Sequence, residues 1–478
     1  MNYRLVLRLT GRTLMVEAVS LLLPLAVTLL YRENPRPFIY TIAIIALVSL
    51  LLSFVPSDDR FFAREGFFSV AFIWFLMSAL GALPFWFSGF FPSYVDCLFE
   101  SISGFTTTGA SILTAVEGLP RGILFWRSFT HWLGGMGVLV LAIALLPSLG
   151  SRTLQIMRAE SPGPVVGKLV PKTSQFSKIL YAMYVLLTLL EIFLLLLSGM
   201  PLFDSVVNSF ATAGTGGFSV RNLSIGAYGN HTAETIITIF MLLFSLNFSL
   251  YFLIFTGKVR QALKSDELRF FGGVVLISTI LITANIHRIY GTLAEAFHHA
   301  FFQVATILST TGFSSFDFNL WPEFSRILLV LLMFCGACAG STGGAIKCSR
   351  ILVIFKVLFR EIRQIIHPRT VCVVKLDGQA LGESTIRSIF VFFAAYVTIT
   401  FGAALMVSLD NFSFGTTLTA VIACIGNIGP GLELVGPMGN YSFFSSPSKL
   451  ILSLCMLIGR LEIFPVLVLF SRSAWRRS

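Results

Sequence analysis

The chain has 478 residues, 55% of them hydrophobic and only 12% charged, with a mean hydropathy of +0.85. That balance excludes a soluble enzyme and a disordered chain, because soluble domains carry roughly 25% charged residues. The net charge of +11 does not point to nucleic acid, since the bases of a multi-span protein gather on its cytoplasmic loops and fix its orientation there. The expected surroundings are a lipid bilayer.

The chain opens with Arg4, Arg8 and Arg12 ahead of an apolar run. Glu17 and Pro24 interrupt that run and no small-residue cleavage site follows it, so it reads as a retained first helix rather than a signal peptide. Hydropathy predicts leading spans at 14–31 and 38–54. A unit of span, short segment and span then recurs four times. In the first unit, 68–87 is a span, 94–113 a short stretch rich in Ser, Thr and Gly, and 123–146 a second span. The second unit runs over about 178–255, the third over 270–359 and the fourth over 389–470. The predicted fold is an all-α integral membrane protein with ten transmembrane helices: four pseudo-repeated helix/pore-loop/helix units around one central pore, plus two extra N-terminal helices. The corresponding domains are 1–62, the leading helices; 63–172, 173–265, 266–380 and 381–478, the four pore repeats.

A segment of about 12 to 15 apolar residues cannot cross a bilayer, and irregular backbone is tolerated at membrane depth only inside protein or beside water. The four segments end alike, in Thr107-Thr108-Gly109, Thr215-Gly216-Gly217, Thr310-Thr311-Gly312 and Asn427-Ile428-Gly429. These endings recur at intervals of roughly one hundred residues, the mark of internal repetition. A cation leaving water needs oxygens to replace its hydration, and main-chain carbonyls from Thr and Gly supply them without a trapping charge. Small residues also line ordinary helix contacts in membranes, but four such endings after truncated helices favour a pore.

A cytoplasmic amino terminus puts most of the 34 Lys and Arg residues on inner loops, including Arg60, Arg64, Lys258, Arg472, Arg476 and Arg477. Both termini are then cytoplasmic and the short segments lie in the outer half. Asp96, Glu100, Glu117, Asp204, Asp317 and Glu433 are expected to make the outer vestibule mildly negative, which favours cation entry.

The stretch 324–359 is nearly twice one crossing. Its middle carries Gly336, Cys338, Gly340, Ser341, Thr342, Gly343 and Gly344, a composition that breaks helices. It reads as a flexible intramembrane loop and a candidate gate, or as a glycine-rich packing kink. Arg460 lies in the last predicted span. It either presses on that loop and raises a positive barrier, or pairs with Glu462 or snorkels to the inner interface.

Other candidates carry less. The seven cysteines, an odd number, do not suggest a disulfide framework, and Cys335 and Cys338 read as small-residue packing rather than half a metal site. His298 and His299 beside Glu295 read as a polar helix face, without a zinc motif. Glu17 and Glu191 are possible proton relays or polar helix contacts. There is no Walker lysine pattern, Rossmann unit or nucleophile–base grouping, so neither a nucleotide site nor an enzyme is expected.

The four endings, the broken third-unit span and the late arginine together resemble the TrkH/TrkG branch of the Trk, Ktr and HKT superfamily of potassium transporters, over essentially the whole chain. The resemblance implies potassium uptake through a four-loop selectivity filter, with potassium held at Thr107, Thr108, Thr215, Gly216, Thr310, Thr311, Asn427 and Ile428. Gly109 stands where sodium-preferring plant relatives carry serine, and the two leading spans favour TrkH over eight-span KtrB. It also implies a homodimer, a TrkA-type cytoplasmic ring that senses nucleotides, residence in the bacterial inner membrane, and no cofactor in this chain. The competing function is a secondary active transporter coupling potassium or a small solute to sodium or protons.

Overall fold

The structure, a computed structural model, describes residues 3–56, 63–137, 173–370 and 372–470. The described chain is helical apart from one hairpin, Lys375–Leu376 paired antiparallel with Gln379–Ala380. Helices suit hydrocarbon because each satisfies its own backbone polar groups. Among the described residues, six are long and apolar enough to cross a membrane: Tyr3–Leu30, Arg36–Ser53, Glu65–Ser88, Lys178–Leu197, Asp266–Ile286 and Glu383–Asp410. Their outer faces expose Leu47, Leu51, Leu189, Phe193, Ile277 and Leu405. Such an apolar belt would be an aggregation hazard in water, and acyl chains solvate it.

The six are the two leading helices and the first helix of each unit; among the described residues the second helices are each shorter than a single crossing. These stop after 13 to 15 residues: Arg121–Gly135, His231–Phe244, Glu323–Cys335 and Ser446–Arg460. The second turns by 91° into Phe248–Phe255, which makes a seventh candidate span if the pair is taken together. The third is interrupted until Cys348–Ile366, and the fourth resumes as Phe464–Phe470. Local chemistry sets each break. Asn247 caps a fresh helix through Ser249 N–H, Gly336 turns left-handed at φ 66, and Glu462 and Ile463 take φ 54 and 69. Hydropathy sums pass over the second- and fourth-unit breaks because the flanking residues stay apolar, whereas the third falls in the glycine-rich stretch that the sequence marks. The predicted continuation of the first-unit span to residue 146, most of the bases from Arg152 to Lys178, Arg60, and Arg472, Arg476 and Arg477 lie outside the described residues.

The short segments are the helices Tyr94–Phe105, Leu202–Gly214, Leu293–Leu308 and Phe414–Ile425. Three are capped at their starts by Ser93, Thr292 and Ser413, each accepting a backbone N–H three residues on. Burial runs round the whole helix rather than along one stripe, as in Cys97, Phe99, Glu100, Ser101, Ile102 and Ser103. A helix encased by protein, rather than one lying on lipid, shows this pattern.

Candidate functional site: four segment turns and the loop beneath them

Each segment helix closes with the same pair of backbone hydrogen bonds. Thr107 N–H donates to Gly104 (3.1 Å) and Thr108 N–H to Ser103 (2.9 Å); Thr215 and Gly216 donate to Thr212 (2.9 Å) and Ala211 (2.8 Å). Thr310 and Thr311 donate to Ile307 (3.1 Å) and Thr306 (2.9 Å), and Asn427 and Ile428 to Cys424 (3.3 Å) and Ala423 (2.9 Å). This ending requires one left-handed residue, normally glycine. Here it falls on Thr107, Thr215, Thr310 and Asn427, with φ of 55, 56, 60 and 53. The left-handed form costs a residue with a side chain roughly 1–2 kcal/mol, so the surrounding structure must over-determine it. Two residues on, Gly109, Gly217, Gly312 and Gly429 are left-handed again, at φ 78, 75, 82 and 95.

The four turns meet in a ring. A Cβ added to Gly109 would overlap the carbonyl oxygen of Gly216, one on Gly217 that of Thr311, and one on Gly312 that of Ile428. One on Gly429 would lie 2.7 Å from the carbonyl oxygen of Thr108, which returns to the first segment. Contact order follows chain order, and each contact sets a glycine against main-chain oxygen. Glycine is therefore required twice at each place, for its φ and for its missing side chain.

Two braces around this ring escaped the sequence reading. His131 is fully buried; its Nδ1–H donates to the Gly104 carbonyl (2.7 Å) and its Nε2 accepts the Phe218 N–H (3.4 Å), an arrangement that fixes the neutral tautomer. The ring lies where a Cβ on Gly216 would go, which explains glycine at a position where the other segments carry Thr108, Thr311 and Ile428. Arg127 is ion-paired with Glu100 (2.5 Å), donates to the Ser219 carbonyl (3.1 Å), and lies 3.6 Å over the Phe218 ring. Glu100 also accepts from Ser111 Oγ (2.9 Å) and Ile112 N–H (3.0 Å). The expected vestibule charge is corrected accordingly. Glu100 is neutralised inside the protein, and Asp96 is paired with Lys449 at 2.7 Å. Glu433 does stay exposed. Hydrogen bonds from the Ser413 hydroxyl, and then from Thr416, hold its carboxyl below the usual range.

The glycine-rich stretch is non-helical from Gly336 to Lys347 and lies against the third and fourth turns. Gly344 N–H donates to Thr310 Oγ1 (2.8 Å). A Cβ on Gly344 would lie 2.6 Å from the Gly426 oxygen, and one on Gly343 2.9 Å from that of Ser309. The stretch plugs into the break of the bent second-unit pair: Cys338 N–H donates to Ser245 (3.0 Å), Phe248 N–H to Gly340 (3.1 Å), and Thr342 Oγ1 to Phe244 (3.1 Å). Ser341 Oγ bonds the Cys338 carbonyl within the turn (2.6 Å). Side chains tie it down as well. Glu267 accepts from Ala339 N–H (2.6 Å) and Ser349 N–H (3.1 Å), and Lys347 Nζ donates to Gly343 (2.9 Å). Arg460 donates to the Thr342 carbonyl (2.7 Å), to Gly135 (2.6 Å) and to Gly134. Glu462 pairs with Arg350. Cys335 and Cys348 face each other across the base of the stretch, their sulfurs 3.4 Å apart. Glu17 and Glu191 are buried on separate helices, Tyr3–Ser20 and Thr173–Leu197.

A family model described as TrkH, cation transport protein, matches residues 34–476. The chain belongs to the TrkH family. Among its relatives, the Trk system potassium uptake protein TrkH of Salmonella typhimurium is 38% identical, with 100% of both chains covered. TrkG of Escherichia coli K12, also a Trk system potassium uptake protein, is 33% identical over 99% of each. The crystal structure of the potassium transporter TrkH from Vibrio parahaemolyticus superposes with a TM-score of 0.90 at 33% identity, covering 100% of both chains. This family member is thus a membrane protein with the TrkH fold.

Proposed function

We propose that this chain carries potassium into a bacterial cell through a channel-like pore, with the ring of segment turns as selectivity filter and the glycine-rich loop with Arg460 as gate. The ring closure carries the reading: four glycines, each against the carbonyl oxygen of the next segment, in cyclic order. Left-handed residues at alternate positions turn successive peptides in a common sense, which suits a column of carbonyl oxygens replacing an ion's hydration shell. Strain at Thr107, Thr215, Thr310 and Asn427 belongs where function demands a backbone that packing alone would not choose. Potassium is favoured because the full-length relatives are named as potassium uptake proteins. The filter holds it at Thr107, Thr108, Thr215, Gly216, Thr310, Thr311, Asn427 and Ile428.

Beneath it, the loop closes the path with Arg460 reaching across from Thr342 to Gly134 and Gly135, and a guanidinium on the ion path raises an electrostatic barrier to cations. The inner-loop bases favour an inner-membrane orientation with both termini cytoplasmic. The relatives' printed "Trk system" fits a partnered assembly, which we take to be a homodimer on a TrkA-type ring. The hairpin at Lys375–Ala380 and the charged helix Cys348–Ile366 offer it a surface. Purified protein in liposomes under a potassium gradient tests the reading. Current should reverse at the potassium equilibrium potential, and Gly109→Ser should admit more sodium; a reversal potential that moves with pH or sodium would replace the channel with coupled transport.

A further inference from the structure

We infer that His231, Glu234 and His298 form a binding site for a divalent d-block cation of the zinc class, separate from the ring and the loop. His231 and Glu234 stand three positions apart at the start of helix His231–Phe244, so helical periodicity puts them on one face. His298 comes from the neighbouring third segment helix, Leu293–Leu308. The three ligand atoms lie within 4.8 Å of one another. His298 Nε2 is 2.6 Å from Glu234 Oε2, and His231 Nδ1 is 3.7 Å from the same oxygen. Around zinc at about 2.0–2.1 Å from each donor, ligand atoms sit roughly 3.3 Å apart. The required adjustment is small: the His298–Glu234 contact opens, and His231, whose side chain is 71% exposed, swings inward.

The donor set selects the ion. Two imidazoles and one carboxylate suit zinc, copper, nickel or cobalt, whereas potassium, calcium and magnesium favour shells of oxygen. Glu234 supplies the reason for the cluster, because its carboxylate is only 5% exposed and its partners among the described residues are the two imidazoles. A bound cation offsets the cost of keeping a carboxylate out of water. The adjacent His299 is engaged elsewhere, 3.4 Å from Ser315 Oγ and stacked 4.9 Å from Tyr290, which leaves three protein ligands and a water position. The bound ion clips the helix whose break receives the glycine-rich loop to the helix that ends in Thr310-Thr311-Gly312. Its occupancy therefore reinforces a link between two parts of the fold that otherwise rests on packing and the His298–Glu234 contact.

The test uses the full chain in detergent, with any polyhistidine tag removed and metals stripped, titrated with zinc by calorimetry and followed by melting temperature. Cobalt absorption serves as a probe of ligand type. One saturable equivalent is expected, with a raised melting temperature and nitrogen/oxygen rather than thiolate cobalt bands. His231→Gln and His298→Gln should each weaken binding by about tenfold or more, while His287→Gln leaves it intact. His231 is exposed, so its replacement tests ligation without disturbing the core. Absence of saturable binding, or binding unchanged when His231 and His298 are both replaced, would overturn the site and assign the metal to the cysteines or to none.

Discussion

The ring and the glycine-rich stretch lie against each other, use the same small residues, and differ in what is added to their backbone contacts. The ring is held by backbone against backbone: four repeated helix endings and four glycines covered by carbonyls. Its ionised brace, Glu100 with Arg127, is sealed in protein. The stretch from Gly336 to Lys347 also has backbone bonds, from Cys338 to Ser245 and from Phe248 to Gly340, but adds ionisable side chains that reach in from other helices, Glu267 and Arg460, and its own Lys347. Contacts of glycine on carbonyl leave no partner to exchange, whereas hydrogen bonds from ionisable side chains are ones that water or an ion can replace.

Substitutions can break that contrast. The largest effect is expected at the ring's brace, where Glu100→Gln leaves the Arg127 charge buried without its partner. Breaking a buried pair costs about 3–5 kcal/mol, so the melting temperature and the yield of folded protein should collapse. A variant that melts like the parent would show the pair to be dispensable. Next comes Gly312→Ala, which must accept a left-handed φ of 82 and a methyl group against the Ile428 oxygen. With about 1–2 kcal/mol from the φ alone, potassium flux in liposomes should fall about tenfold or more. Flux at the parent level would mean that the ring tolerates a side chain and is not a filter.

Arg460→Ala should act in the opposite direction. Loss of its bonds to Thr342 and Gly135 loosens the loop and removes the positive barrier, so resting potassium leak should rise several-fold with little change in melting temperature. An unaltered leak would remove Arg460 from the gate. The smallest effect belongs to Glu433, which follows the fourth turn and whose carboxylate reaches back to Ser413 and Thr416 at the start of the fourth segment helix. Its folded carboxyl titrates below the ordinary value near 4.3, so its contribution is complete above that value and is lost as pH falls through the depressed one. Melting temperature should decline slightly more in the parent than in Glu433→Gln on acidification from pH 5 to 3; parallel curves would show that its bonds to Ser413 and Thr416 carry no weight.

How much of this was readable in the sequence follows from the length scale of each interaction. The segment endings were readable because each is local: a Thr or Asn followed two residues later by glycine, four times over. The glycine-rich stretch was readable from composition. The breaks in the second helices of the second and fourth units were not, because they arise from an Asn cap or from left-handed turns such as Glu462 and Ile463 amid apolar residues. The role of His131 was hidden because its partner Phe218 lies 87 residues away. Glu100 was misjudged as a vestibule charge because Arg127 is brought to it only when the first segment helix folds back against Arg121–Gly135.

The cyclic order of the ring bears on how the protein is made. Asn427 Nδ2 bonds Thr108 Oγ1 across 319 positions of chain, and Gly429 covers the Thr108 carbonyl. The circle therefore has a keystone, and the fourth segment, which supplies it, follows the other three in chain order. A chain terminated before the fourth segment would hold an open arc, with Gly312 uncovered by the Ile428 carbonyl.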